Sequence, residues 1–143
     1  ADLVTVLGEP VGDTGWATNG LCTPAEVRKL VWGDLEVVLA RDAVELPSRM
    51  AQWFVAGDHD ASVSSLWTLK RIGVGSTVAD LRAAHGTSLS LEQPSDRDPA
   101  GWFDTELILG DGILGAVGNT TDTGRVLFMW AGSEGDACQR RFG

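Results

Sequence analysis

Short apolar-rich runs bounded by turn residues recur along the chain, and apolar residues fall at helical spacing over two other stretches. Val27 to Trp32 and Leu35 to Ala40 are runs of aliphatic and β-branched residues separated by Gly33-Asp34, which is a hairpin signal. Gly before Asp suits a type II′ turn. Thr105 to Leu109, Gly110-Asp111-Gly112 and Ile113 to Val117 repeat that signal. Arg49 to Ala56 and Arg125 to Ala131 read as further strands, and Ser64 to Lys70 as another. Helical spacing occurs at Val78, Leu81 and Ala84 or His85, behind Thr77 as N-cap with Asp80 three residues on, and Gly86 closes it. Leu3, Val4 and Leu7 form a similar stripe that Gly8 and Pro10 stop. Thr23-Pro24-Ala25-Glu26 has the form of a capping box and predicts one helical turn before Val27. Glu92 to Gly101, with two prolines and four charges, reads as a loop.

Three short blocks recur in the same order. Ala1-Asp2-Leu3 returns as Ala79-Asp80-Leu81, each followed five residues later by a glycine, Gly8 and Gly86. Leu30-Val31-Trp32-Gly33-Asp34 returns as Leu107-Ile108-Leu109-Gly110-Asp111, and Trp53-Phe54-Val55-Ala56-Gly57 as Phe128-Met129-Trp130-Ala131-Gly132. The recurrence predicts a tandem duplication. A helix followed by strands in each half, without βαβ alternation, predicts the α+β class: two tandem helix-plus-antiparallel-sheet repeats sharing a core. The first repeat is truncated at its N-terminus, since it lacks the counterpart of Ile72 to Val78. The expected division is 1–67 for repeat one and 68–143 for repeat two, together one unit, because each half alone is too small for a full core.

Ile72-Gly73-Val74-Gly75-Ser76-Thr77, then Asp80-Leu81 and His85-Gly86, resembles the signature of the SmpA/OmlA outer-membrane assembly lipoproteins and each half of the β-lactamase inhibitory protein family. Leu7-Gly8-Glu9-Pro10 matches the end of that signature, Leu-Gly-x-Pro, more closely than His85-Gly86-Thr87-Ser88 does. The resemblance covers about 40 residues directly. It departs from the pattern in the truncated first helix and in cysteines that do not fall at equivalent repeat positions. It implies a non-enzymatic, extracytoplasmic binding domain and names no partner.

Charge narrows the partners. Eleven basic against twenty acidic residues give a formal charge of −9. Such a surface repels phosphate backbones and anionic lipid, so the expected partner is a protein with a basic surface rather than nucleic acid. The longest fully apolar run, Val126 to Ala131, is too short to span a membrane as a helix. The two cysteines, Cys22 and Cys138, show no zinc spacing. They predict either one disulfide or two buried thiols. Closing a loop of ~100 residues stabilises by about 4–5 kcal/mol in the chain-entropy account and needs an oxidising compartment. A chain that starts at Ala1 without Met or a basic-then-apolar leader fits a processed secretory protein, although a trimmed chain looks the same. Together these point to a secreted or cell-envelope location.

Catalytic signatures are sparse. The chain has no GxSxG, HExxH, Walker or GxGxxG pattern, and no cofactor or metal site is expected. Of its two histidines, His85 falls in the last turn of the predicted helix, where a cation is favoured by the macrodipole. His59 falls in Asp58-His59-Asp60, a polar loop whose carboxylates raise the imidazole pKa and suit a cation. Six tryptophans stand out. Trp32, Trp53 and Trp130 occupy strand positions and read as core. Trp16 and Trp102 follow glycine in polar loops, where an aromatic is either a lid or an exposed anchor for a protein partner. The leading expectation is therefore a non-catalytic, inhibitor-like binding module acting through Trp16 and Trp102 on an acidic surface. A small hydrolase or metal-dependent enzyme built on Asp58, His59 and Asp60 is the alternative, and a structural subunit of an envelope assembly is the third class.

Overall fold

The computed structural model describes residues 3–18, 25–57, 66–96, 100–105 and 112–132. In chain order the elements are α1 (Leu3–Leu7), β1 (Gly12–Asp13), β2 (Ala17–Thr18), β3 (Glu26–Trp32), β4 (Leu35–Arg41), β5 (Arg49–Ala56), α2 (Val78–His85), β6 (Ser90–Glu92), β7 (Gly101–Asp104), β8 (Ile113–Val117) and β9 (Val126–Ala131). Every strand pairing is antiparallel. The strands form one sheet in the order β1-β3-β4-β5-β9-β8-β7-β6, with β2 beside β3.

This corrects the expected class. The molecule is not two helix-plus-sheet α+β repeats but a mostly antiparallel sheet of nine described strands with two short helices. Helix α1 has five residues, none of them fully buried, and α2 has eight, of which Val78 and Leu81 are buried. Elements this short cannot form a layer of their own, so strands supply most of the core. The likeness between residues 53–57 and 128–132 belongs to two central strands that lie side by side, with Phe54 opposite Trp130 and Val55 opposite Met129.

Turn chemistry sets the register of the first hairpin. Gly33 has φ +55, and among the described non-glycine residues only Arg71 has a positive φ. Positive φ at the first turn position alone is the type II′ geometry, which matches the right-handed strand twist. Trp32 therefore faces Leu35, and the pairing runs on to Glu26 and Arg41. The Glu26–Arg41 pair closes it with a 2.7 Å contact. Glu26 is thus the first residue of β3 rather than part of a helical turn; Thr23 and Pro24 lie outside the described residues.

One face of the sheet carries the core. Trp32, Leu35, Val55, Met129, Gly115, Phe103 and Leu91 form a continuous cross-strand row. Val78 and Leu81 of α2, both fully buried, join the same cluster, and Leu3, Val4 and Leu7 of α1 pack against it. The Trp32 indole Nε1 donates to the Gly8 carbonyl at 2.8 Å, which fixes the end of α1. Gly115 lets the row stay flat: a Cβ there would sit 2.4 Å from the Phe128 carbonyl and 2.5 Å from the Phe103 ring. The N-terminus of α2 is held from two sides. Thr77 and Asp80 form the reciprocal capping box, and Val78 N–H donates to Gly124 O at 2.8 Å.

Two other expectations are corrected. Residues 66–70 form no strand. They lead into a tight turn in which Arg71 N–H donates to Thr68 O and Thr68 N–H to Ile72 O, both at 2.8 Å. The strand paired with β8 is Gly101–Asp104 rather than Thr105–Leu109, so Gly101 and Trp102 belong to the sheet and not to a loop. Residues 106–111, Gly110 among them, lie outside the described residues.

Candidate functional site

Strand alternation places every second residue on the face away from both helices. Phe54 of β5 and Phe128 and Trp130 of β9 point there, with Trp102 of β7 beyond Ala116 of β8. The four rings touch. The Phe54 and Phe128 centroids are 5.6 Å apart, and Phe128 stacks on Trp130 at 5.9 Å. Trp102 meets Phe128 edge-on at 5.7 Å and Trp130 at 6.1 Å. Such tilted and edge-to-face pairs each stabilise by about 0.5–1.5 kcal/mol beyond their buried area. All four rings are half-buried, so each keeps part of its surface exposed.

The rim of this cluster is acidic. Glu36 stands directly opposite Phe54, Glu92 opposite Trp102, and Asp104 next to Leu114, which itself opposes Trp130. Lys29 pairs with Glu36 at 2.9 Å on the β3–β4 side. Aromatic anchors inside a charged rim are the usual anatomy of a protein-docking patch.

Trp102 and Trp16 are not brought together. Trp16 is half-buried in the turn between β1 and β2, with the Arg41 guanidinium 4.1 Å above its ring. Arg41 shares its face with Val37, a core residue, so Trp16 closes the end of the core side while Trp102 lies on the opposite side. The Arg41–Glu26 pair and the Trp16 stack form one local unit. Beside it, Arg28 holds Asp13, Nε to Oδ1 at 2.9 Å, and Gly15 N–H donates to the same oxygen at 2.8 Å. The Arg28 contact, then the Gly15 amide, lower the Asp13 carboxyl from 3.8 to about 2. Trp130, expected in the core, is instead on the aromatic face; Trp32 is core, as expected.

Phe54 and Phe128 join the ring cluster although no motif marks them. The signal was present: Phe128 and Trp130 flank Met129, and Phe54 precedes Val55, so both strands are apolar on both faces. A strand with one wet face alternates apolar and polar residues.

Asp58, His59, Asp60, Cys22 and Cys138 all lie outside the described residues. Among the described residues no group of three His, Cys, Asp or Glu side chains is placed to hold a metal ion, and no helix is long and apolar enough to cross a membrane. His85 does end α2, but burial, and secondarily the nearby Lys70 charge, push its pKa down. The cation at that helix end is Lys70, whose Nζ donates to the Ala84 carbonyl at 3.1 Å. The Nε2 of His85 is shielded from water and has no hydrogen-bond partner among the described residues. An orphan of this kind costs about 1–3 kcal/mol.

No protein-family model matches the chain, and neither curated proteins nor solved structures gave a match. The likeness to the SmpA/OmlA and β-lactamase inhibitory families therefore rests on the quoted residues alone.

Proposed function

We propose that the chain is a non-catalytic binding module of the secreted or cell-envelope kind that recognises a protein partner through the aromatic face of its sheet. The observation that carries this reading is the ring cluster of Phe54, Phe128, Trp130 and Trp102, half-buried on the face that neither helix covers. Interfaces concentrate their energy in a few aromatic anchors surrounded by a polar rim. The acidic rim and the net charge of −9 favour a partner with a basic surface and speed encounter with it. Salt slows that encounter, because exposed charges are screened over about 8–10 Å.

The test compares the wild-type chain with Trp102→Ala, Trp16→Ala and Phe128→Asp as baits in the native extracytoplasmic fraction, with folding checked by circular dichroism. The reading expects one saturable partner that Trp102→Ala weakens and Phe128→Asp loses. Trp16→Ala reports on the opposite side and leaves the interaction close to wild type. Equal capture by all baits contradicts the reading.

A further inference from the structure

On the core side, the ends of the central strands, the C-terminal end of α2 and the segment from Leu66 to Lys70 enclose a cleft of about 780 Å³. That is within the span of small-molecule sites, ~300–1,000 Å³. Leu35, Trp53, Val55, Ile113 and Met129 give it apolar walls, and Lys70 and His85 stand together at one side. Lys70 is one of only two lysines in a chain with a charge of −9. Its ammonium has one hydrogen bond, to the Ala84 carbonyl, and no ion-pair partner among the described residues. An ammonium has three donors, so two remain. The His85 ring lines the same side, but its Nε2 is shielded from water, so Lys70 is the group that meets a ligand there. An ammonium with two free donors beside an apolar wall matches a ligand with a hydrocarbon body and an anionic acceptor at one end.

We propose that this cleft binds an apolar carboxylate, with the hydrocarbon lying along Trp53, Leu66 and Ile113 and the carboxylate on Lys70. The cleft is on the face opposite the Phe54–Trp130 cluster, so the proposal is independent of the protein-docking reading. Either can fail alone.

The experiment titrates the full chain with laurate, dodecanol and dodecyltrimethylammonium below their micelle concentrations, by calorimetry. Trp53 and Trp67 line the cleft and offer a fluorescence readout. The expected result is one laurate per chain, dodecanol bound about tenfold more weakly, and the cation not bound, a tenfold step being the scale of one favourable charge contact. Lys70→Gln lowers laurate to the dodecanol level and leaves dodecanol unchanged; Lys70 is exposed, so the fold tolerates the change. Ala131→Phe, which fills the cleft from β9, abolishes binding of both. Absence of saturable laurate binding, equal binding of anion and cation, or wild-type affinity in Lys70→Gln or in folded Ala131→Phe overturns the proposal.

Discussion

Phe54 and Val55 are consecutive residues of one strand with opposite fates. Val55 is 3% exposed in the core row beneath α2, while Phe54 belongs to a half-buried ring cluster on the face without helices. The same contrast holds for Met129 and Trp130. Among the described residues, one face is closed by two helices and a turn, and the other carries four aromatic rings with no helix over them. Core packing accounts for the first set of residues. The second set is looser: its rings are half-buried, over a face on which the small residues Val38, Ala40 and Ala116 are themselves buried. Large rings held rigid by one another at low entropy cost are what a recognition surface needs.

The comparison can be broken from the closed side first. Leu81→Ala removes a fully buried side chain of α2 and is expected to lower stability by about 2–5 kcal/mol in denaturant unfolding. Gly115→Ala tests the flat point of the core row. Its Cβ meets the Phe103 ring and the Phe128 carbonyl, so a loss of about 1–3 kcal/mol is expected. Trp102→Ala, on the other face, should cost about 1–3 kcal/mol, two ring contacts at about 0.5–1.5 kcal/mol each. Equal losses from Leu81→Ala and Trp102→Ala would remove the distinction between the faces.

Titration sharpens the same contrast with smaller effects. The folded-state pKa of His85 is pushed below the ordinary 6.5, mainly by burial. The unfolded chain therefore takes up a proton that the folded chain resists. Stability is full above that value and falls as the pH drops below it. Urea midpoints at about pH 7.5 and about pH 5.5, the span in which imidazoles titrate, should differ less in His85→Gln than in wild type. The smallest effect belongs to Asp13. Its carboxyl is depressed to about 2, so its pairing with Arg28 contributes above the ordinary 3.8 and is lost as the pH falls toward 2. Carboxyl shifts followed by NMR should show that midpoint in wild type and a higher one in Arg28→Gln, still below the ordinary 3.8 because the Gly15 amide continues to donate to Asp13.

Much of the sheet was legible because short-range chemistry decides it. Gly33-Asp34 sets the β3–β4 register, and the Thr77–Asp80 pair starts α2 where its spacing predicts. Two kinds of feature were not legible. Leu66, Trp67 and Leu69 imitate a strand, yet the backbone turns at Thr68–Ile72 with Arg71 at φ +61. Gly101-Trp102 follows a proline- and charge-rich stretch and reads as loop, yet pairing with β8 makes it a strand. The second depends on a partner distant in the chain, while the first is a local turn, held by hydrogen bonds between Thr68 and Arg71 and Ile72, that the apolar run disguises. The candidate site was half legible. Trp102 was singled out, but its neighbours Phe128, Trp130 and Phe54 come from strands whose pairing no local pattern reveals. Trp16 was grouped with Trp102 by composition alone, and topology puts it on the other side.

The most direct test measures stability and partner affinity in parallel on Trp130→Ala. The expected result is a stability loss of about 1–3 kcal/mol, from the ring contacts with Phe128 and Trp102, with partner affinity falling by at least ~30-fold, the scale of an interface hot spot. A loss of about 3–5 kcal/mol in stability with unchanged affinity would make the ring cluster a second core and contradict the account.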